Sequence, residues 1–517
     1  MKLLRLFGAF FAVLLWISMA RAQTPGGVTP SGGGGANSTS TQSAGASGNS
    51  SGGAGGGVQQ PASPLSQNPY MGSVPTGKAT DEVLQISFKD AIERGLKYNL
   101  GTLLSSHDIE AARGNLWQAL SNVLPNVTTD TTETASKINL AQSGFTKIHA
   151  PGFSFGSLDP IIGPFGYFDT RAYVSTPIFD ASSWAKTHSA RDNFEAAKYS
   201  YKDSRELVVL VVGYGYLQAV TASSRVETAD AQSKTAEALY RQASDQHTAG
   251  TSPAIDALRA KVEFQTRQQQ LIAAKNDYQK QLLNFARTIG LPAGQRFDLT
   301  EKIPYDAQPP VTVDEALHRA YAARADFQSA QLRVRAAEAQ KRSALEERLP
   351  ALYFDGNYGL GGPTPDQVHG TYQAVGSIKL PIFLGGKIHA DSLQADANLA
   401  TARSELENLR GQIDQDVRNA LLDLDSSSQQ VQVAKSNVDL ANQTLDQARD
   451  RFVAGVTDNI EVVQAQDAVA SANESFISSL LNYNVARISL ARAQGIAETG
   501  VLEYLKGRPN NGANSGN

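Results

Sequence analysis

The sequence predicts a mainly α-helical, internally duplicated fold in which each half carries two β-strands and one long coiled-coil hairpin. Three observations support this fold class: landmarks that recur at a fixed spacing, apolar residues that recur every seven positions, and short segments in which apolar and polar residues alternate. Heptads indicate paired helices, and alternation indicates strands with one apolar and one polar face. The chain therefore combines long helical rods with a small sheet.

The chain starts with the features of a secretory signal peptide, over residues 1–22. Lys2 and Arg5 supply the positive start, residues 6–17 form an apolar stretch, and residues 20–22 fit the Ala-x-Ala cleavage pattern. The apolar stretch has about 12 residues, whereas a membrane-spanning helix needs about 20. We therefore expect cleavage after residue 22. The 517 residues include no cysteine, so we expect neither a lipoprotein anchor nor a disulfide.

Composition predicts the remaining boundaries. Residues 23–78 are mainly Gly, Ser, Thr, Pro, Ala and Gln, which bury too little apolar surface to offset the entropy cost of ordering, and we expect a disordered tail. We expect a first structural repeat over residues 79–300, a second over 301–500, and a disordered tail over 501–517. No later apolar stretch approaches the length of a membrane helix, the nearest being Leu207–Tyr216. The net charge of −4 gives no basic excess for binding nucleic acid.

The duplication is indicated by landmarks in the two halves. The segment ISFKDA corresponds to VTVDEA, and each opens a helical stretch that ends at a Leu-Pro pair. The two pairs, at Leu124 and Leu349, lie 225 positions apart, as do the two opening segments. Gly250 and Gly455 also correspond but lie only 205 positions apart. The first half therefore carries about 20 extra residues between these landmarks, which is typical of an exposed loop.

Two pairs of segments are predicted to be β-strands. Apolar and polar residues alternate over Leu352–Leu360 and Tyr372–Ile382, and less cleanly over Val127–Leu140 and Tyr167–Phe179. A length of about 9–11 residues suits a transmembrane β-strand with lipid on one face and water on the other. An ordinary half-buried sheet gives the same alternation, so the pattern alone leaves both alternatives open.

The connectors between the paired strands predict a topology. Gly144–Gly166 and Gly361–Gly370 are rich in Gly and Pro, as loops are. Because no apolar stretch after the signal peptide is long enough to form a membrane-spanning helix, strands would have to carry the chain across the membrane. We therefore expect both connectors on the outer side of the membrane.

The long helices show heptad seams in which large and small residues alternate. Before the second turn, the large seam residues are Val417, Leu424, Val431, Val438, Leu445 and Phe452, and the small ones are Ala420, Ser427, Ala434, Ala441, Ala448 and Gly455. After that turn, the large ones are Val462, Val469, Phe476, Tyr483 and Leu490, and the small ones are Ala465, Ala472, Ser479, Ala486 and Ala493. In the first half the seam residues are Ala229, Ala236, Ala243 and Gly250, followed by Phe264, Leu271, Tyr278 and Phe285. Small seam residues let helix backbones approach closely. At 1.5 Å per residue, the stretch from Ala181 to Ala249 predicts a rod on the order of 100 Å long.

Together these residues resemble the TolC-like outer-membrane efflux protein family over roughly residues 80–500. The most specific part is the turn segment Gln447–Val462 (QARDRFVAGVTDNIEV), and a weaker version lies at His247–Asp256 (HTAGTSPAID). The Leu-Pro and Pro-Ile-Phe motifs also fit the family. Each motif alone is common, whereas the ordered set in both halves is specific.

The resemblance implies a homotrimer in the outer membrane of a Gram-negative-type bacterium. Four strands per chain would give a 12-stranded β-barrel, with a long α-helical barrel extending into the periplasm. The implied function is the exit duct of a tripartite efflux or type I secretion system, with a periplasmic adaptor, an inner-membrane pump and outer-membrane lipid as partners. A periplasmic adaptor or a structural coiled-coil envelope protein is the alternative, but neither accounts for two hairpins that are each preceded by strands.

The resemblance also implies functional residues at the hairpin tips. They are Gly250, Thr251, Ser252, Gly455, Val456 and Thr457 for adaptor docking, and Asp256, Glu461 and Gln464 for the pore entrance. Rings of acidic residues select cations, so the two acids predict a cation-attracting mouth. The alternative roles are a plain helix cap for each glycine and a solvated surface charge for each acid.

At two positions the chain departs from the residues that hold the channel entrance closed in relatives. Where relatives have a Tyr and an Arg, this chain has Phe452 and Thr457, which cannot make the same hydrogen bonds.

The seven histidines are scattered, and neither a nucleophile elbow nor a P-loop occurs. The sequence therefore predicts neither an enzyme nor a cofactor or metal site.

Overall fold

The computed structural model of the 517-residue chain describes residues 68–139, 142, 161–301, 305, 311–454, 456–457 and 459–504. The expected signal peptide, most of the expected tails, most of the connector at 144–166, and Gly455 lie outside the described residues.

The described elements follow the same order in both halves of the chain. In the first half they are β1 (Leu84–Ile86), α1 (Phe88–Tyr98), α2 (Leu100–Ser121), β2 (Asn126–Asn139), β3 (Ile161–Phe179), α3 (Ala181–Thr248) and α4 (Ala254–Thr288). In the second half they are β4 (Phe297–Leu299), α5 (Val313–Ala323), α6 (Ala325–Glu346), β5 (Ala351–Gly362), β6 (His369–Lys379), α7 (Lys387–Val453), α8 (Asn459–Ala493) and α9 (Ala497–Tyr504).

Both halves open with a capped helix. The Ser87 hydroxyl accepts the Asp90 N–H at 3.2 Å, and the Asp90 carboxylate accepts the Ser87 N–H at 3.2 Å, which completes a capping box at the start of α1. At the matching place in the second half, Thr312 caps α5 by accepting the Glu315 N–H at 3.4 Å. The short strands β1 and β4 pair in parallel, which joins the starts of the two halves.

The four long strands form one antiparallel sheet in the order β2-β3-β5-β6. All four predicted strands are present, with shifted ends. Strand β3 begins at Ile161 rather than at residue 167, because residues 161–166 extend the pairing with β2. Strand β6 ends at Lys379, two residues before Pro381, which has no N–H to donate to a ladder. The second connector therefore shortens to residues 363–368.

The helical body is built from two antiparallel hairpins, α3 with α4 and α7 with α8. Helix α3 has 68 residues and α7 has 67, so each is on the order of 100 Å long, as predicted. Much of the predicted seam is buried, including Val417, Val431 and Tyr483. Val438 and Ala441 are only half-buried, whereas Leu445, Ala448 and Val462, which lie closer to the tip, are buried.

The most apolar part of α3 lies in the core of the helical body. Over 18 residues this helix is apolar enough to resemble a membrane span, a longer stretch than the sequence analysis recognised, and 56% of that window is buried. Val208 and Val212 are fully buried and belong to a cluster that includes Phe88 and Phe285. Burial within the chain therefore accounts for this stretch.

The folded part starts earlier than the expected boundary at residue 78. The Val74 N–H donates to Tyr98 O at 2.9 Å, and a Cβ at Gly101 would lie 2.3 Å from the Tyr70 ring. Tyr70 therefore packs directly on the start of α2. Composition did not reveal this, because a single aromatic residue anchors a segment that is otherwise rich in Gly and Pro.

Candidate functional site

The first hairpin tip joins α3 to α4 through a tight turn at Gly250. Gly250 has a φ of +72°, which favours glycine, and a Cβ there would meet nothing within 4 Å. Its N–H donates to His247 O at 2.9 Å, and the Thr251 N–H donates to Gln246 O at 2.9 Å. These are the two bonds of a Schellman cap. The backbone conformation of the turn, and not a shortage of space, therefore requires the glycine.

The second tip joins α7 to α8 and repeats one of these bonds. The Val456 N–H donates to Arg451 O at 3.0 Å, and both residues lie 205 positions after their counterparts Thr251 and Gln246. Val456 is 69% exposed, and Thr251 is also exposed. Both helices thus end in the same way and present one side chain of each turn to solvent.

The two candidate entrance acids lie in the first turn of the outgoing helices. Asp256 and Glu461 are each the third residue of their helix, where the positive end of the helix dipole favours a carboxylate. Asp256 is 8% exposed; it accepts a hydrogen bond from Ser252 Oγ at 3.1 Å and lies 3.7 Å from Arg259. Glu461 accepts from Arg451 at 2.9 Å. The structure therefore places both acids at the tips and pairs each with an arginine of its own chain.

The residues next to the acids differ between the tips. Gln464 is exposed and corresponds to Arg259, so the second half has an uncharged amide where the first has the arginine that pairs with the acid. Phe452 is half-buried and packs against a cluster of five apolar residues from α3, α7 and α8. These are Leu239, Leu445, Ala448, Val462 and Ala465. Phe452 is therefore anchored by apolar contact.

A charge cluster between the hairpins, in which Arg267 and Glu263 are buried and Asp467 is 64% exposed, was missed by the sequence analysis. The Arg267 side chain on α4 is 5% exposed; its Nε donates to Glu263 at 2.5 Å and its Nη1 donates to Gln270 at 3.0 Å. Its Nη2 donates to Asp467 on α8, 200 positions later in the chain. The spacing of Glu263 and Arg267 indicates an ordinary helix-surface pair. Only the packing of α4 against α8 reveals that Arg267 links the hairpins.

The strand sheet is the second candidate functional element, because its two faces differ. On one face Arg171 donates to Asn357 at 2.6 Å and to Thr371 at 3.1 Å, and Ser175 donates to Asp355 at 2.6 Å. The opposite face carries large apolar residues that are exposed in the single chain. They are Val127, Tyr358, Leu360, Tyr372 and Ile378. An exposed apolar face of this kind marks contact with lipid or with another apolar surface.

Comparison with known proteins places the chain in a family. The sequence model of the family described as "Outer membrane efflux protein" matches residues 103–291 and 316–496, one segment in each half. The chain is 22% identical over 340 residues to outer membrane protein TolC of Escherichia coli (strain K12), covering 62% of this chain and 68% of that protein. It is 23% identical over 352 residues to the alkaline protease secretion protein AprF of Pseudomonas aeruginosa, covering 65% and 72%.

Solved structures share the fold. The CmeC outer membrane channel of Campylobacter jejuni aligns with a TM-score of 0.69 at 17% identity, covering 85% of this chain and 94% of that one. The outer membrane protein VceC of Vibrio cholerae aligns with a TM-score of 0.66 at 17% identity, covering 79% and 96%. The mainly helical fold with long hairpins and a small sheet is thus the fold of these channels. The chain belongs to the outer membrane efflux protein family, and it is accordingly an exit channel of the outer membrane for efflux or secretion, and not an enzyme.

Proposed function

We propose that three copies of this chain assemble into a continuous duct, with a 12-stranded β-barrel in the outer membrane and an α-helical barrel in the periplasm. The observation that carries this proposal is the two-faced sheet at one end of helices on the order of 100 Å long. Four strands from each of three chains would place the apolar face toward lipid and the polar face toward a water-filled lumen.

The edges of the sheet support closure between chains. Strands β2 and β6 are the two edges, and among the described residues each pairs with one other strand. Because β2 and β6 run in opposite directions, β6 of one copy can pair with β2 of the next and continue the antiparallel order. Closing the ring satisfies the edge N–H and C=O groups, which lipid cannot do.

The repeated order of elements supports an internal duplication. We propose that residues 79–300 and 301–500 descend from one unit, with α1 and α5, α2 and α6, the two strand pairs and the two hairpins as counterparts. The bonds that close the two tips at the same offset favour this origin. Cleavage of a signal peptide after residue 22 remains part of the proposal, and so do disordered tails, the first ending before residue 68 and the second beginning after residue 504.

The duct would serve a tripartite efflux or type I secretion system. Relatives carry the names "alkaline protease secretion protein", "pyoverdine export outer membrane protein" and "antibiotic efflux pump outer membrane protein". An inner-membrane pump and a periplasmic adaptor are the partners that such systems supply. The adaptor would dock at the tips, on Gly250, Thr251 and Ser252 of the first hairpin and on Gly455, Val456 and Thr457 of the second. Asp256, Glu461 and the neighbouring Gln464 would line the mouth.

Fractionation of outer membranes, followed by electrophoresis with and without heating, tests the proposal. We expect an SDS-resistant trimer that dissociates on heating. Tyr372→Lys puts a charge on the apolar face, which costs about 2–4 kcal/mol near the membrane midplane, and should weaken assembly. Gln373→Lys, the next residue on the opposite face, is the matched control and should assemble normally. Equal assembly of both variants would contradict the assignment of the two faces.

A further inference from the structure

We propose that Arg171 sets the charge selectivity of the exit half of the channel, as the cation of a charge-balanced belt on the polar face of the sheet. The belt consists of Asp169, Arg171, Asn357, Thr371 and Gln373. This inference rests on the proposed barrel, in which the polar face lines the lumen.

The belt is a hydrogen-bonded network that crosses three strands. Two atoms of the Arg171 guanidinium donate to Asp169 on the same strand, at 3.2 and 3.0 Å. The guanidinium also reaches Asn357 on β5 at 2.6 Å and Thr371 on β6 at 3.1 Å, and Asn357 donates to Gln373 at 3.2 Å. Charge-assisted bonds in a forked geometry hold such a group firmly.

Two glycines on β5 make room for the belt. A Cβ at Gly359 would lie 2.8 Å from Cβ and Cγ of Arg171, and a Cβ at Gly361 would lie 3.0 Å from the Asp169 carboxylate. The side chains of β3 therefore lie flat across β5. As a result the Arg171 and Asp169 side chains are only 18% and 14% exposed, although no other element covers this face in the described chain. Side chains that lie flat against the barrel wall leave the lumen of the proposed channel open.

Along β5 and β6 the belt lies on the side of the sheet that is far from the helices, whereas Arg171 lies near the middle of the longer strand β3. Gly359 and Gly361 are near the end of β5, and Thr371 is near the start of β6, beside the connector at 363–368. In the proposed topology this is the extracellular half. The belt and the tip acids would therefore act at opposite ends of the duct.

Arg171 balances the acids around it. Asp169 is its direct partner, and Asp130 on β2 is directly opposite in the strand register. The formal charge of these three groups is −1 per chain, and without Arg171 it would be −2. A duct must let its cargo leave, and a strongly charged exit would retain ions of the opposite sign. Neutralising half of this charge makes the exit more permissive to anions than it would be without Arg171.

Single-channel recording from purified trimers in planar bilayers tests the assignment. Arg171→Gln should raise the cation-to-anion permeability ratio roughly three-fold, the size expected for three extra charges about 10 Å from the pore axis in screened water. Asp169→Asn should shift the ratio in the opposite direction. The double variant removes one charge of each sign and should return the ratio to near the wild-type value.

The pattern of signs decides the outcome. Opposite shifts in the single variants, together with recovery in the double variant, support the belt as a selectivity element. Unchanged ratios, or shifts in the same direction, overturn it. If Arg171→Gln does not form heat-modifiable trimers, the shift in Asp169→Asn decides alone. If the wild-type chain forms no pores, the proposed barrel fails, which is a different result from pores that ignore these substitutions.

Discussion

The two hairpin tips share a backbone and differ in how their acids are held. Thr251 and Val456 make the same capping bond in their respective turns. Asp256 is buried, bonded to Ser252 and close to an arginine one turn along its own helix, whereas Glu461 pairs with Arg451 across the turn.

This difference shows which features the two halves of the chain share and which they do not. The turn itself is fixed by backbone hydrogen bonds, which many sequences can make, so the two halves keep it. Side-chain pairs are free to change. In the second half the acid ties the end of α7 to the start of α8, and in the first half the corresponding acid accepts a hydrogen bond from Ser252 in the turn before its helix. At the second tip, therefore, a charge pair couples two helices.

The largest effect is expected from Arg267→Met, which removes the cation that links the first hairpin to the second. Glu263, with a side chain that is 11% exposed, would lose its partner, and breaking a buried pair costs about 3–5 kcal/mol. We expect trimers that unfold at lower temperature and hairpins that separate more readily. Thermal unfolding of the trimer, and leakage of a large antibiotic into cells, measure these two effects.

Arg225→Gln provides the matched control for the buried link. Arg225 on α3 pairs with Glu474 on α8, so it also joins the hairpins, but the two side chains are 36% and 52% exposed. A pair in solvent contributes less than about 1 kcal/mol. An equal fall in the unfolding temperature of the trimer in the two variants would show that burial of Arg267 has no special role.

A bulky residue at either tip glycine should abolish export while leaving trimers intact. Gly250→Val must adopt a φ of +72°, which costs about 1–2 kcal/mol, and it puts a side chain into open space where an adaptor would dock. Gly250→Asn is the control, because Asn tolerates this conformation. Drug resistance in a strain that lacks its own channel reports export. If export survives Gly455→Trp, the tip is not part of the docking surface.

A smaller effect is expected when the entrance acids are neutralised. Asp256→Asn with Glu461→Gln should lower cation selectivity and weaken block by multivalent cations, because six carboxylates would leave the mouth of a trimer. Glu461→Gln alone should lower cation selectivity more than Asp256→Asn alone, since the Glu461 side chain is 39% exposed and that of Asp256 is 12% exposed. Unchanged selectivity and block in the double variant would place both acids away from the pore.

Local patterns in the sequence predicted most of the fold. Alternation located all four strands, and α3 ends at Thr248, one residue before the predicted end at Ala249. Patterns failed where long-range pairing decided the structure. Residues 161–166 have the Gly and Pro content of a loop, yet they pair with β2 because the partner strand is long enough to receive them.

The candidate sites divide in the same way, into those set by local sequence and those set by long-range contacts. The places of Gly250, Asp256 and Glu461 at the tips follow from position along the helices, so the sequence predicted where they lie; their roles in docking and at the channel mouth stay predictions. The Arg267 link to Asp467 and the Arg171 belt join residues that are far apart in the chain and adjacent only after folding. No local spacing encodes such pairs. The arginines that partner the entrance acids were also missed, although Arg259 is only three residues from Asp256.

Cysteine labelling on intact cells tests the central claim, that one chain reaches from the cell exterior to the periplasm. The chain has no cysteine, so single sites can be introduced at Gln367 in the β5–β6 connector and at Thr251 on the first tip, both of them exposed. We expect an impermeant thiol reagent to label Gln367→Cys on intact cells and Thr251→Cys only after the outer membrane is opened. Labelling of Gln367→Cys only after lysis, or labelling of Thr251→Cys on intact cells, would contradict the account.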